Sequence, residues 1–334
     1  MVPAYIRTEQ IMKKRNLACL AIAAPLFSLA ACAGGTANLA LSANWFLHTG
    51  DDPISSAGET LEYAVTFEAS DENTVLTYGD GTYKSVLSAE TVKLADGTTE
   101  MCYHVHTELA IPVTYTLNGE QASFDDKVTS DVWFRDVSHS LQPVRSEKYV
   151  LSHTPMQNSS PDKLDALYET YEYTLAVEYD AACANAKMTL DYAQPSDTEA
   201  SVSEVELSGS GTYLDNEQIL FALRGVSMSS ASAFRSINPA KRAVETVSMA
   251  ETPSSATEKL TFDMNGESKE RELTTYTFSL GYGGNNPGMS QTYTYAGVTD
   301  ANNNLYRSAL LRMEVPVLNS MGTLRYTLVK ATFS

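Results

Sequence analysis

The chain predicts an all-β fold, a large antiparallel sheet curled into a half-barrel or folded as two packed sheets, with very little helix. Three observations lead there. Apolar residues recur at every second position through several segments, Asn-Gly and Asp-Gly pairs separate those segments, and apolar runs with helical spacing are scarce. Continuous Val/Ile runs of the kind a buried parallel sheet requires are missing, which points to antiparallel pairing with one buried and one wet face.

Taken in chain order, the first element is an address. Lys13-Lys14-Arg15 precede fifteen uncharged residues, Leu17–Ala31, that end in Leu29-Ala30-Ala31-Cys32. A basic start holds the cytoplasmic end while the apolar stretch enters the membrane, and the stretch falls short of the roughly 20 residues of a stable span. Small residues at Ala30 and Ala31 admit a peptidase to the backbone beside Cys32. Leu29-Ala30-Ala31-Cys32 resembles the lipobox of bacterial lipoproteins. The resemblance implies that residues 1–31 are a signal peptide, with Met12 a natural start, and that Cys32 is lipidated and begins the mature chain. Cys19, inside the apolar run, lacks the small neighbours. Ala33, not an aspartate, follows Cys32; in a two-membrane bacterium the resemblance then implies the outer membrane, and a one-membrane cell is equally open. Residues 32–43 read as a lipidated tether, its flexible part reaching roughly 18 Å, and residues 44–334 as a single antiparallel β domain whose first fixed element is Trp45-Phe46-Leu47.

In Thr60–Glu68, Leu61, Tyr63, Val65 and Phe67 share one face. In Thr170–Tyr179, Tyr171, Tyr173, Leu175, Val177 and Tyr179 do the same, and the alternation returns at Tyr276, Phe278 and Leu280 and at Tyr293 and Tyr295. Most of the 19 tyrosines therefore read as core, with rings packed and hydroxyls reaching an edge. Asp96-Gly97, Asn118-Gly119 and Asn265-Gly266 each suit a two-residue hairpin turn, where positive φ is needed. The best helix candidate is Asp162–Glu169, with Ser160 as cap and Pro161 at the first helical position. Ser152–Ser160 and Ala193–Glu204 read as surface connections. Gly79-Asp80-Gly81-Thr82-Tyr83 recurs as Gly209-Ser210-Gly211-Thr212-Tyr213, which allows two pseudo-repeats meeting near residues 151–205.

Composition removes some functions. The chain carries a formal charge of −18; taking away Arg7, Lys13, Lys14, Arg15 and Glu9 with the signal removes +3 and leaves −21. That balance repels nucleic acid and anionic headgroups alike, so membrane attachment rests on lipid. Of the four cysteines, Cys102 and Cys183 remain in the exported domain, either as one disulfide or as two free thiols.

Cys102-Tyr103-His104-Val105-His106-Thr107-Glu108 is the sharpest cluster. On a strand, Cys102, His104, His106 and Glu108 project to one side, and thiolate, imidazole and carboxylate are all zinc ligands. The competing reading buries Met101, Tyr103 and Val105 and leaves the polar set in solvent; it is the one favoured, so no metal or other cofactor is expected. His48, His139 and His153 complete the histidines, without a Gly-x-Ser-x-Gly elbow or a His-Glu-x-x-His helix. Glu59/Glu62 and Asp125/Asp126 are expected by chance in so acidic a chain. Asp300–Asn304 imitates a calcium loop but has Leu305 at its sixth position and Leu311 at its twelfth. Gly281–Gly288 has no Lys-Ser/Thr and reads as a hairpin tip.

In Val132–Val150, Trp133-Phe134-Arg135 is followed by Ser140-Leu141-Gln142-Pro143-Val144-Arg145. The succession resembles the half-barrel envelope lipoproteins and periplasmic carriers related to the lipoprotein-localisation proteins. That resemblance implies a curled sheet around an apolar cavity, with a lipid acyl chain as ligand. The expected function is a non-catalytic, membrane-anchored envelope lipoprotein binding an apolar ligand; the alternative is a structural or adhesive surface module. A hollow interior favours the first and a packed one the second.

Overall fold

The computed structural model describes residues 58–334 apart from 74, 137–139, 157–161, 196–199, 208–211, 226–232, 240–241, 250–253, 282–290, 301–304 and 318–320. Cys19, Cys32, Trp45–Leu47, His48, His139, Ser160, Pro161 and all but the first residue of Gly281–Gly288 lie outside the described residues.

The strands are β1 (Glu59–Ala69), β2 (Leu76–Tyr78), β3 (Gly81–Lys93), β4 (Thr99–Leu117), β5 (Glu120–Phe134), β6 (Pro143–Pro155), β7 (Tyr168–Tyr179) and β8 (Asn185–Gln194). They continue with β9 (Ser201–Glu206), β10 (Ala233–Asn238), β11 (Ala243–Met249), β12 (Ser254–Met264), β13 (Glu267–Gly281), β14 (Gln291–Ala296), β15 (Leu310–Val317) and β16 (Gly322–Phe333). All belong to one sheet. Neighbours run β10-β11-β13-β14-β15-β16-β1-β3-β4-β5-β6-β7-β8-β9, with β2 beside β4 and β12 beside β13 and β16. Antiparallel pairing is universal among these strands except where Asp263 and Met264 of β12 run parallel to Lys330 and Ala331 of β16. That contact closes β12 through β16 into a ring of five strands. The architecture is the curled single sheet, not two packed sheets.

Alternation fixes which face is inside. Leu61, Tyr63 and Val65 of β1 and Tyr171, Tyr173, Leu175, Val177 and Tyr179 of β7 are all buried, while the residues between them are partly exposed. Several buried tyrosines place their hydroxyls on backbone carbonyls, Tyr63 on Leu310 (2.8 Å) and Tyr115 on His153 (2.7 Å), which satisfies the polar end of an otherwise apolar side chain. Pro112 sits inside β4 without loss, because its carbonyl faces Gly79 in the gap between β2 and β3. The donor it lacks has no strand opposite it.

Asn118 (φ 54°) with Gly119 (φ 89°), and Asn265 (φ 53°) with Gly266 (φ 86°), make the expected two-residue turns. Asp96-Gly97 differs. Leu94 and Thr98 still pair, so the loop is the three residues Ala95-Asp96-Gly97, and only Gly97 is left-handed. Asp96 instead accepts from the Thr98 amide (2.9 Å) and hydroxyl (2.6 Å). A Cβ added at Gly119 meets nothing within 4 Å, so Gly119→Ala is expected to cost about 1 kcal/mol through backbone strain alone. Urea denaturation measures it; a neutral result would mean the turn relaxes.

Two other expectations change. Asp162–Glu169 holds one turn of 3-10 helix, Leu164–Ala166, because Tyr168 and Glu169 are taken up by pairing with Pro155 and Thr154 of β6. Ser152–Pro155 is not a surface connection; it is the buried end of β6, and Ala193–Gln194 and Ser201–Glu204 likewise belong to strands β8 and β9. Ser152, His153 and Thr154 are buried despite their polarity, whereas Gln194 and Glu204 stay exposed on their strands.

The other departure from strand is internal. Asn216–Gln218 and Leu223–Gly225 are 3-10 turns flanking α1 (Ile219–Ala222), and the segment lies against the concave face of the sheet. Phe221 packs on Tyr103 of β4 and Phe134 of β5, with ring centroids 5.3 and 5.0 Å apart. Leu214, Ile219, Ala222 and Leu223 are buried beside it. Asp215 starts the turn with a capping box: its carboxylate accepts from the Glu217 amide and its amide donates to Gln218 Oε1.

Candidate functional site

The interior is the first place a ligand would sit, and residues 214–224 occupy it. Their polar groups reach strands all around the sheet. Gln218 donates to the Leu141 carbonyl (2.7 Å), Asn216 to that of Ile237 on β10 (2.8 Å), and Tyr295 of β14 donates to the Leu220 carbonyl (2.9 Å). Arg224 grips Glu59 of β1 with both terminal nitrogens, at 2.6 and 3.0 Å, and both partners are buried. Lys148 of β6 donates to Glu217 (3.0 Å), and Asp215 accepts from Ser146 of β6 (2.7 Å) and Tyr179 of β7. Burial pushes the Lys148 ammonium below its ordinary range, opposed by Glu217, and pushes the Asp215 carboxyl up, opposed by the hydroxyl of Tyr179.

Two small spaces adjoin the segment. A cavity of about 20 Å³ lies among Leu61, Tyr63, Tyr83, Phe221 and Arg224, and one of about 10 Å³ among Lys148, Tyr179, Asp215 and Glu217. Each is the size of a single water and has polar groups to hold one. Neither of these two spaces is the apolar cavity implied by the half-barrel resemblance. The physical reason is the internal segment, whose Ile219, Phe221 and Leu223 take the volume an acyl chain would need.

The second place is the outer face of β3, β4 and β5. His104, His106 and Glu108 project there as their alternation requires. Asp131 of β5 stands opposite His106, and its Oδ1 lies 2.8 Å from both His104 Nε2 and His106 Nδ1. Glu90 of β3 meets His104 Nδ1 at 2.8 Å and accepts from Trp133 Nε1 at 2.9 Å; Glu108 meets His106 Nε2 at 3.1 Å. Trp133 stacks on His104 (centroids 4.5 Å apart, planes 3° apart) and carries Arg145 of β6 over its ring at 4.0 Å. Hydrogen bonds to Glu108 and Asp131 raise the His106 pKa despite the opposing cost of its partial burial. The Glu90 carboxyl is held below the usual range, mostly by the Trp133 bond.

Among the described residues no three His, Cys, Asp or Glu side chains are grouped to hold a metal ion. The imidazoles of His104 and His106 are engaged by carboxylates. Cys102 is fully buried rather than solvent-facing, and burial pushes its thiol up to about 11. Met101, expected on the buried face with Tyr103 and Val105, is 43% exposed. The internal segment covers that face as far as Tyr103 through Phe221, and Met101 lies two pairs further toward the β3–β4 turn. Cys102 and Cys183 are both free, and burial raises Cys183 to about 12. Asp300 accepts from the Tyr306 hydroxyl (3.0 Å), and residues 301–304 of the calcium-like stretch lie outside the described residues.

A buried pair was not visible in the sequence. Asp126 accepts from both the amide (3.0 Å) and Nδ1 (2.7 Å) of His153, whose ring stacks on Phe124. Glu59 is likewise a buried partner of Arg224 rather than one of a surface carboxylate pair. The only sequence signal for the internal segment was Asp215-x-x-Gln218, a capping-box spacing.

The fold and these sites define a barrel-like all-β protein with a filled interior and an ordered polar row outside. No protein-family model matches the chain, and no curated protein matches it. Among solved structures, it is similar to a β-barrel-like protein of the domain of unknown function DUF1849 from Brucella abortus, with 11% identity and a TM-score of 0.44, over 83% of this chain and 98% of that one. It is also similar to a chain from Parabacteroides distasonis described as a "putative lipoprotein", with 9% identity and a TM-score of 0.21, over 83% of this chain and 96% of that one. Neither likeness carries a functional assignment.

Proposed function

We propose that this protein is a non-catalytic, membrane-anchored envelope lipoprotein, held outside the cytoplasm by lipid on Cys32. The observation that carries this reading is Leu29-Ala30-Ala31-Cys32 behind Lys13-Lys14-Arg15 and a short apolar run. No helix among the described residues is long and apolar enough to cross a membrane. Cys32→Ser is expected to leave an unprocessed precursor, or a product that no longer partitions into detergent, and to abolish incorporation of labelled fatty acid. A processed Cys32→Ser protein that stays in the detergent phase would place the anchor elsewhere.

The packed interior favours a structural or interaction module over a carrier of an apolar ligand. Water-sized cavities beside Phe221 and Lys148 admit no acyl chain, so partners are to be sought at the outer surface. Mass spectrometry of the purified protein tests this: a stoichiometric co-purifying lipid, beyond the one on Cys32, would restore the carrier reading.

A further inference from the structure

We propose that Glu90, His104, Asp131, His106 and Glu108 form a proton-operated clasp that ties β3, β4 and β5 together on the outer face of the sheet. All four ring nitrogens of the two histidines face carboxylate oxygens, at 2.8, 2.8, 2.8 and 3.1 Å. A carboxylate only accepts, and a neutral imidazole has a single N–H; only the imidazolium donates from both nitrogens. The row is therefore fully bonded when both histidines carry a proton, with three carboxylates and two cations. Without those protons each ring turns a lone pair toward a carboxylate, and the row holds three negative charges within a few ångströms. The shared oxygen Asp131 Oδ1 makes the two rings interdependent, since it bonds both.

The charges around the row do not remove this dependence. On β3 the neighbours are Glu90 and, opposite Glu108, Lys84; on β5 it is Asp131; on β6 they are Glu147, opposite Asp131, and Arg145, which lies over Trp133. Outside the row itself these are two cations and one carboxylate, so the charges in hydrogen-bond contact with the two rings remain the row's own three carboxylates. The geometry spans strands: Glu90 belongs to β3, the histidines and Glu108 to β4, and Asp131 to β5. Protonation therefore adds three cross-strand contacts, His104 to Glu90 and both rings to Asp131, beside the His106–Glu108 contact within β4.

The sign follows from linkage. His106 has a raised pKa in the fold, from hydrogen bonds to Glu108 and Asp131 that outweigh desolvation. Its contribution is fully present below the ordinary value of about 6.5 and is lost as pH rises through the folded value. The protein should therefore be clasped in mildly acidic surroundings and released in alkaline ones.

The test has two arms on the purified full-length protein. In the first, NMR of the ring nitrogens follows His106; a titration midpoint above about 6.5, with both nitrogens protonated on the acid side, is expected. A midpoint at or below that value overturns the clasp. In the second, urea midpoints of the wild type and of His104→Gln/His106→Gln are compared at pH 5.5 and 8.0. The wild type should lose most of its advantage over the variant at the higher pH; a difference independent of pH overturns the proposal. Should the double variant fail to fold, Asp131→Asn replaces it, and the NMR arm stands on the wild type alone.

Discussion

Arg224→Met is expected to destabilise the protein by about 3–5 kcal/mol, because it leaves a buried carboxylate without its partner. Glu59 is almost fully buried, and both its oxygens accept from Arg224, at 2.6 and 3.0 Å. Methionine preserves much of the volume of the arginine stem, so the loss measures charge rather than packing. The double variant Glu59→Leu/Arg224→Met should recover most of the stability, since removing both members of a buried pair is often neutral while removing one is not. Chemical denaturation of the four proteins in the cycle measures it. If the double variant is as weak as the single, the pair is not the source of the loss. The position matters to the architecture: Glu59 opens β1 and Arg224 ends the internal segment, so the pair fixes that segment to the sheet.

Phe221→Ala is expected to cost a similar amount, about 3–5 kcal/mol, by a different route. The ring contacts Tyr103 and Phe134 and borders the existing cavity of about 20 Å³. Deleting it enlarges that space and leaves aromatic walls that cannot collapse without distorting β4 and β5. The added space is walled by the rings of Tyr103 and Phe134 and accepts small apolar probes such as benzene or xenon. The variant should therefore show a lower denaturation midpoint and bind such a probe, which the wild type should not. A near-neutral change would mean that the internal segment is loosely seated and does not fill the interior. Together the two variants separate the ionic attachment of the segment from its packing.

Much of this was legible in the chain, and the reason lies in local physics. A period of two has only one consequence for a strand with a buried face, so Leu61-Tyr63-Val65 and Tyr171 through Tyr179 disclosed both their conformation and their orientation. Asn118-Gly119 and Asn265-Gly266 disclosed their turns because few residue pairs tolerate positive φ twice in succession. Asp96-Gly97 was only half legible: Gly97 took the positive φ, but the number of loop residues depends on which residues pair beyond it.

The polar residues were the unreadable ones. Ser152, His153, Asp126, Lys148, Glu59 and Asp215 all look like surface residues in one dimension, and all are buried. Apart from Ser152, whose hydroxyl meets Thr154 of its own strand, each is inside with a partner from a distant strand or turn, and sequence separations as large as the 165 residues between Glu59 and Arg224 leave no local trace. The same holds for the row outside: His104 and His106 were evident as a pair, whereas Asp131, which lies between them, comes from β5 and arrives only through register.

The sequence by itself determined the class of fold, the strand faces and the hairpins, because alternation and turn chemistry act over a few residues. It also holds Leu29-Ala30-Ala31-Cys32, the stretch on which the proposed location rests. Only the tertiary structure decided that the curled sheet is filled rather than hollow. That outcome depends on whether residues 214–224 pass outside the sheet or within it, and the difference is made by long-range pairing of Asp215, Glu217 and Arg224 with the sheet's inner wall.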